Sequence, residues 1–176
     1  DYIWMKEYLQ LEGMVYKLVP VRTALPKDGG PLEMGQIDSD KMYAKVMKWD
    51  WGNSESLKIY HDPETRRNSI TYRTNLARLM NQLIKEGQNE KAKNIIDLAM
   101  TKMPLEQYGY YSLLEPFADG YYKIGNKTKA HQLGHWKEAK RIEVVTLFLS
   151  IGSMTEVAKI TGVPYPTIEG WRRQDW

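Results

Sequence analysis

The chain is 176 residues long, with 42% hydrophobic and 27% charged residues, the proportions of an ordinary folded protein rather than a disordered one. Twenty-five Lys and Arg against 22 Asp and Glu leave a net charge of +3, too small to announce a polyanion binder by charge alone. The absence of Cys excludes disulfide scaffolds, cysteine-held zinc or iron–sulfur centres, and thiol nucleophiles. No apolar run approaches the ~18 residues of a bilayer-spanning helix. The first residue is Asp1, with no basic-then-apolar leader, so a fragment or processed chain is expected. Twelve Tyr and 6 Trp stand against 2 Phe. Rings with a polar handle suit rims and contact surfaces better than deep cores.

In chain order, residues 2–18 place Tyr8, Leu11, Val15 and Leu18 at helical spacing. One helix with a kink or stop near Gly13 is expected there. Strand signals are scarce, and Pro20 argues against a central strand in Val19-Pro20-Val21. Residues 24–38, rich in Pro and Gly, read as a loop. Asp38 or Ser39 can cap a short helix with Met42, Val46 and Trp49 on one face. Asp50-Trp51-Gly52-Asn53-Ser54 breaks it. His61-Asp62-Pro63-Glu64 then enters a long helix over roughly 65–86, carrying Ile70, Leu76, Leu79, Met80 and Leu83. Gly87 ends it, and a second helix over about 89–102 buries Ala92, Ile95, Ile96 and Ala99.

Lys85-x-Gly87-x-x-x-Lys91-Ala92 recurs as Lys123-x-Gly125-x-x-x-Lys129-Ala130. A helix pair repeating at this period points to a tetratricopeptide-like stack. Leu76, Leu79, Leu83, Gly87, Ala92, Ile96, Ala99 and Pro104 resemble that family's signature positions. Small Ala92 and Ala99 let two helices approach, Gly87 permits the reversal, and Pro104 stops the second helix. The second copy departs from the pattern: Pro116 interrupts its first helix, and its second helix is expected to stop near Gly134.

After Gly134 the character changes. Residues 138–150 form an expected amphipathic helix with Ile142, Val145, Phe148 and Leu149 inward. Ser153 with Glu156 has capping-box spacing and opens a helix from Met154 to Ile160. Thr161-Gly162-Val163 is the turn, and Pro166 suits the first turn of a third helix bearing Ile168 and Trp171 inward. This is a helix-turn-helix pattern. Its outward set is Tyr165, Thr167, Glu169, Arg172 and Arg173. Tyr165 and Thr167 could meet base edges or phosphates, and Arg172 and Arg173 suit phosphates. Lys159 and the helix start at Ser153 are further phosphate candidates. Six cations against five acids over residues 136–176 make a modest electrostatic footprint. A helical trio used only for packing stays open as the alternative.

Two resemblances divide the chain. Tyr8-Leu9-Gln10-Leu11-Glu12-Gly13-Met14-Val15-Tyr16-Lys17-Leu18-Val19-Pro20, Trp51-Gly52-Asn53, His61 through Asn68, and Met103-Pro104-Leu105 through Tyr110-Tyr111 resemble the soluble C-terminal region of a bacterial membrane family related to protein O-mannosyltransferases. Over residues 1–133 that resemblance implies an accessory, extracytoplasmic helical region, with catalysis in a membrane-embedded part elsewhere. His135 through Ile142 and Thr161-Gly162-Val163-Pro164-Tyr165 through Trp171-Arg172 resemble the DNA-binding segment of phage terminase small subunits. That implies recognition of double-stranded DNA, in the cytoplasm. A natural fusion, a hybrid chain and a composite sequence are all compatible with the join near residues 133–135.

Other constellations read better as structure. His131, His135 and Glu138 have the i, i+4, i+7 spacing of metal ligands, yet a metal site is not expected. His61, Asp62 and Glu64 are read as a helix cap rather than an acid–base cluster. Tyr108, Tyr111 and Tyr122 could form a protein-contact surface, with packing as the alternative. The expected fold is all-α, with tetratricopeptide-like helical hairpins followed by a helix-turn-helix. Residues 1–60 pack on repeats over 61–134, and 135–176 form the helix-turn-helix. The expected function is non-catalytic: DNA through residues 153–173, and a protein partner through the repeats, with a membrane glycosyltransferase core as the candidate that the first resemblance implies. No cofactor is expected.

Overall fold

The computed structural model describes residues 5–22, 34–109 and 111–173, apart from the side chains of residues 111–112 and 135–140. It is mostly helical. The order is β1 (Leu9–Glu12), β2 (Val15–Leu18), β3 (Gln36–Ile37), α1 (Ser39–Val46), α2 (Pro63–Lys85), α3 (Asn89–Lys102), α4 (Leu105–Tyr108), α5 (Glu115–Lys123), α6 (Lys127–Ile151), α7 (Met154–Thr161) and α8 (Tyr165–Arg173). Among the described residues no helix is long and apolar enough to cross a membrane.

The expected N-terminal helix is instead a hairpin. β1 pairs with β2 antiparallel and with β3 in parallel, giving the order β2-β1-β3. Tyr8, Leu11, Val15 and Leu18 fit a helical stripe, but the two-residue connection Gly13-Met14, with Gly13 at φ 78, suits a tight hairpin turn. Helix α2 reinforces that choice. The Asn75 amide donates to the Gly13 carbonyl at 2.9 Å, and Arg78 donates to the Met34 and Gly35 carbonyls at 2.8 and 3.0 Å. Leu11 from β1 is buried beside Met42 and Val46 of α1. β2 is an edge strand whose Val15 and Leu18 are exposed.

Helices α2 and α3 form the central hairpin. Asp62 caps α2, its carboxylate accepting from the Glu64 and Thr65 amides at 2.9 and 3.1 Å, with Pro63 in the first turn. Leu76, Leu79, Met80 and Leu83 of α2 are buried with Ala92, Ile95, Ile96 and Ala99 of α3. Gly87, at φ 74, ends α2 in a Schellman cap: Gln88 N–H reaches the Leu83 carbonyl at 2.8 Å and Gly87 N–H reaches Ile84 at 3.0 Å. The same cap closes α5. Gly125 sits at φ 83, Asn126 N–H reaches Tyr121 at 2.8 Å, and Gly125 N–H reaches Tyr122 at 3.0 Å. The repeated Lys-x-Gly pattern thus writes the same turn twice.

Where the sequence suggested a stop near Gly134, α6 continues as one 25-residue helix. A mid-helix glycine costs about 1 kcal/mol relative to alanine. Packing on either side outweighs that: Ala130 and Leu133 join the core of α2, α3 and α5, while Val144, Leu147 and Phe148 join a second core with Leu105, Leu114 and Val157. The inward face also differs from expectation. Ile142 and Leu149 are 58% and 79% exposed, and Val144 is fully buried. Residues 142–149 are apolar on several sides, so periodicity alone cannot choose the face that α4 and α7 cover.

Asp97 ties the two helix pairs together. It accepts hydrogen bonds from the Tyr121 hydroxyl of α5 and, at 2.6 Å, from the Lys129 ammonium of α6. Burial would raise the Asp97 carboxyl, but the Lys129 and Tyr121 bonds outweigh it and hold the group below the ordinary aspartate range. A carboxyl held low in the fold contributes stability above its unfolded value, about 3.9, and loses it as pH falls through the folded value. Asp97→Asn is therefore expected to lower the melting temperature near neutral pH. That deficit should shrink progressively below about pH 4, as followed by thermal unfolding across a pH series.

Candidate nucleic-acid interface

The last three helices are built by short local signals. Gly152 at φ 74 ends α6, and Ser153 accepts from the Glu156 amide to begin α7. Gly162 at φ 68 ends α7 with its N–H on the Ala158 carbonyl at 3.0 Å. The Thr161 hydroxyl donates to Val157 at 2.7 Å and accepts from Val163 N–H at 3.3 Å, which stiffens the turn. Val157, Val163, Ile168 and Trp171 are all buried. They join one core that packs α8 against α7. Leu105 and Leu114 complete the same core, so the trio is seated on the helical body through α4 and the turn before α5.

On α8, Tyr165, Glu169 and Arg172 fall at i, i+4, i+7 and share one face. Tyr165 is 41% exposed; Arg172 and Arg173 are exposed; Thr167 is half-buried. Arg173 pairs with Glu169 at 2.8 Å, so one of the two cations is already partly neutralised. Arg172 has no ion-pair partner among the described residues. The Ser153 hydroxyl is occupied as a cap, which leaves its helix-start amides rather than its side chain for a phosphate. Lys159 is exposed on α7 and lines a cleft of about 470 Å³ that Arg66 and Gln107 also line.

Of the three tyrosines expected at a contact surface, the structure buries one and exposes another. Tyr108 is 5% exposed. Its hydroxyl donates to the Ser54 carbonyl at 3.2 Å and its ring lies 5.0 Å from that of His61; burial pushes its hydroxyl above the usual range. It is a core residue because the loop over 50–60 covers it. Tyr122 is 45% exposed and stands edge-on to His131 at 5.6 Å. The side chains of Tyr111, His135 and Glu138 lie outside the described residues. Among the described residues no cluster of three potential metal ligands occurs.

Sequence reasoning missed one concave feature. Trp49, Trp51 and Tyr72 meet with ring centroids 5.6 to 5.8 Å apart and line a cavity of about 380 Å³ together with Asp50 and Asn68. The available signal was the Trp49-x-Trp51 pair, whose intervening Asp50 read only as a helix breaker.

Residues 1–41 match a family model described as TMEM260-associated domain 2. The match covers the hairpin, β3 and the first residues of α1, and ends before Trp49, Trp51, Tyr72 and the last three helices. No curated protein and no solved structure matches the chain.

Proposed function

We propose that the chain is a non-catalytic helical interaction region, built on tetratricopeptide-like hairpins and ending in a helix-turn-helix that binds double-stranded DNA. The observation that carries this reading is α8. It is pinned by Ile168 and Trp171 against α7 and α6, and it presents Tyr165 and Arg172 outward. A helix held this way can enter a major groove, with Thr167 and Tyr165 toward base edges, and Arg172, Arg173 and Lys159 toward phosphates. The terminase small-subunit resemblance of residues 135–176 supports the same partner.

Each phosphate contact releases counterions, so affinity falls with salt. The wild-type chain is expected to bind duplex DNA with a clear salt slope in fluorescence polarisation. Arg172→Ala with Arg173→Ala should make that slope shallower by about 2. Equal low-salt affinity of wild type and double variant would end this reading.

A second reading has its own support. The TMEM260-associated match at residues 1–41 falls on a hairpin whose edge strand exposes Val15 and Leu18, a template for another chain. On this reading the chain is an extracytoplasmic accessory region of a membrane glycosyltransferase. Co-purification with the membrane-embedded part of such a protein, without any shift of duplex DNA, would favour it.

A further inference from the structure

The aromatic cavity has a composition that the DNA face does not use. Trp49 and Trp51 follow α1, and Tyr72 projects from α2; all three rings are half-buried. Their planes are not parallel: Trp49 stands at 61° to Trp51 and 85° to Tyr72, and Trp51 at 49° to Tyr72. The rings therefore form a corner rather than a ladder. At about 380 Å³, the space falls within the range of small-molecule pockets.

Its polar groups are available. Among the described residues neither indole N–H nor the Tyr72 hydroxyl has a hydrogen-bond partner, and the Asn68 amide has none. Asp50 uses one carboxylate oxygen on the Gly52 amide at 2.9 Å, and the other is unengaged. The lining contains one acid and no Lys or Arg. Phosphates, nucleotides and acidic peptides are disfavoured by that charge. A polyproline helix docks in grooves between aromatic ridges, which the three steeply inclined rings do not offer.

We propose that this corner binds a neutral pyranose sugar. Such a ligand presents an apolar C–H face for an aromatic ring and a rim of hydroxyls for a carboxylate and an amide. Asp50 and Asn68 supply that pair, and Trp49 or Trp51 supplies the stacking face. Its rings, Asp50 and Asn68 all follow the matched N-terminal region, and the site does not depend on DNA binding.

The test is isothermal titration calorimetry of the full chain with maltotriose, chitotriose and mannotriose. At least one is expected to bind saturably with a Kd on the order of 1 mM. Asp50→Ala and Asn68→Ala change exposed residues and should each weaken binding about fivefold or more, with the melting temperature unchanged in Asn68→Ala, whose side chain holds no turn. Three outcomes would overturn the proposal: no saturable heat from any of the three sugars, unaltered affinity in both variants, or binding of a proline-rich peptide in their place. Trp51→Phe provides a second check. It keeps a ring, so it should preserve folding while weakening the sugar.

Discussion

Arg73→Leu is expected to destabilise the fold by about 3–5 kcal/mol, read from urea unfolding followed by circular dichroism. Arg73 is fully buried in the middle of α2. Its guanidinium donates to the Gly109 carbonyl and, at 2.8 Å, to the Met103 carbonyl. Those carbonyls sit at the C-terminal ends of α4 and α3, where helices leave acceptors unmatched. One planar fork thus closes two helix ends. Leucine fills much of the same volume but leaves both acceptors in the interior without these donors. Arg73→Lys should lose an intermediate amount, because a single ammonium cannot replace the fork's geometry. A leucine variant within about 1 kcal/mol of wild type would show that water reaches these carbonyls.

Gly120→Val is expected to cost about 2–3 kcal/mol. A Cβ at Gly120 would stand 2.3 Å from the Met80 sulfur, 3.0 Å from its methyl carbon and 3.1 Å from Ile96 Cδ1. At this position α5 packs directly on Met80 of α2 and Ile96 of α3. Helix propensity favours a side chain there by several tenths of a kcal/mol, but the close-packed interior opposes it more strongly. Met80 is flexible and can yield, so a double-mutant cycle separates the causes. With Met80→Ala in place, the cost of Gly120→Val should fall by more than about 1 kcal/mol. Purely additive penalties would locate the problem in the helix backbone instead.

How much of this was legible depended on whether the signal was local. The α2 and α3 boundaries followed from Asp62, Pro63, Gly87 and the 3.6-residue stripe, all of which act within one turn. The α7–α8 turn followed from Ser153, Glu156 and Gly162 for the same reason. The N-terminal hairpin was misread because Tyr8, Leu11, Val15 and Leu18 satisfy a helical period, while the deciding contacts come from Asn75 and Arg78, more than sixty and forty residues away from their respective partners. The stop expected at Gly134 failed through packing at both ends of α6, which no window around the glycine contains. Arg73 carried a visible sign. It occupies a core-facing position between Ser69 and Leu76, both buried, where an apolar residue is the usual choice. The aromatic corner was hidden because Tyr72 belongs to a different element from Trp49 and Trp51.

The 25-residue span of α6 behaves mechanically as an axle. Its first turns are clamped by one interior and its later turns by the other. Twisting one end against the other would strain its ladder of backbone bonds. The heading of α8 is therefore set by the body rather than by a swivel. On the proposed reading, DNA held by α8 would lie at a constant azimuth to the body, so a second occupant of the body would meet it in one orientation only.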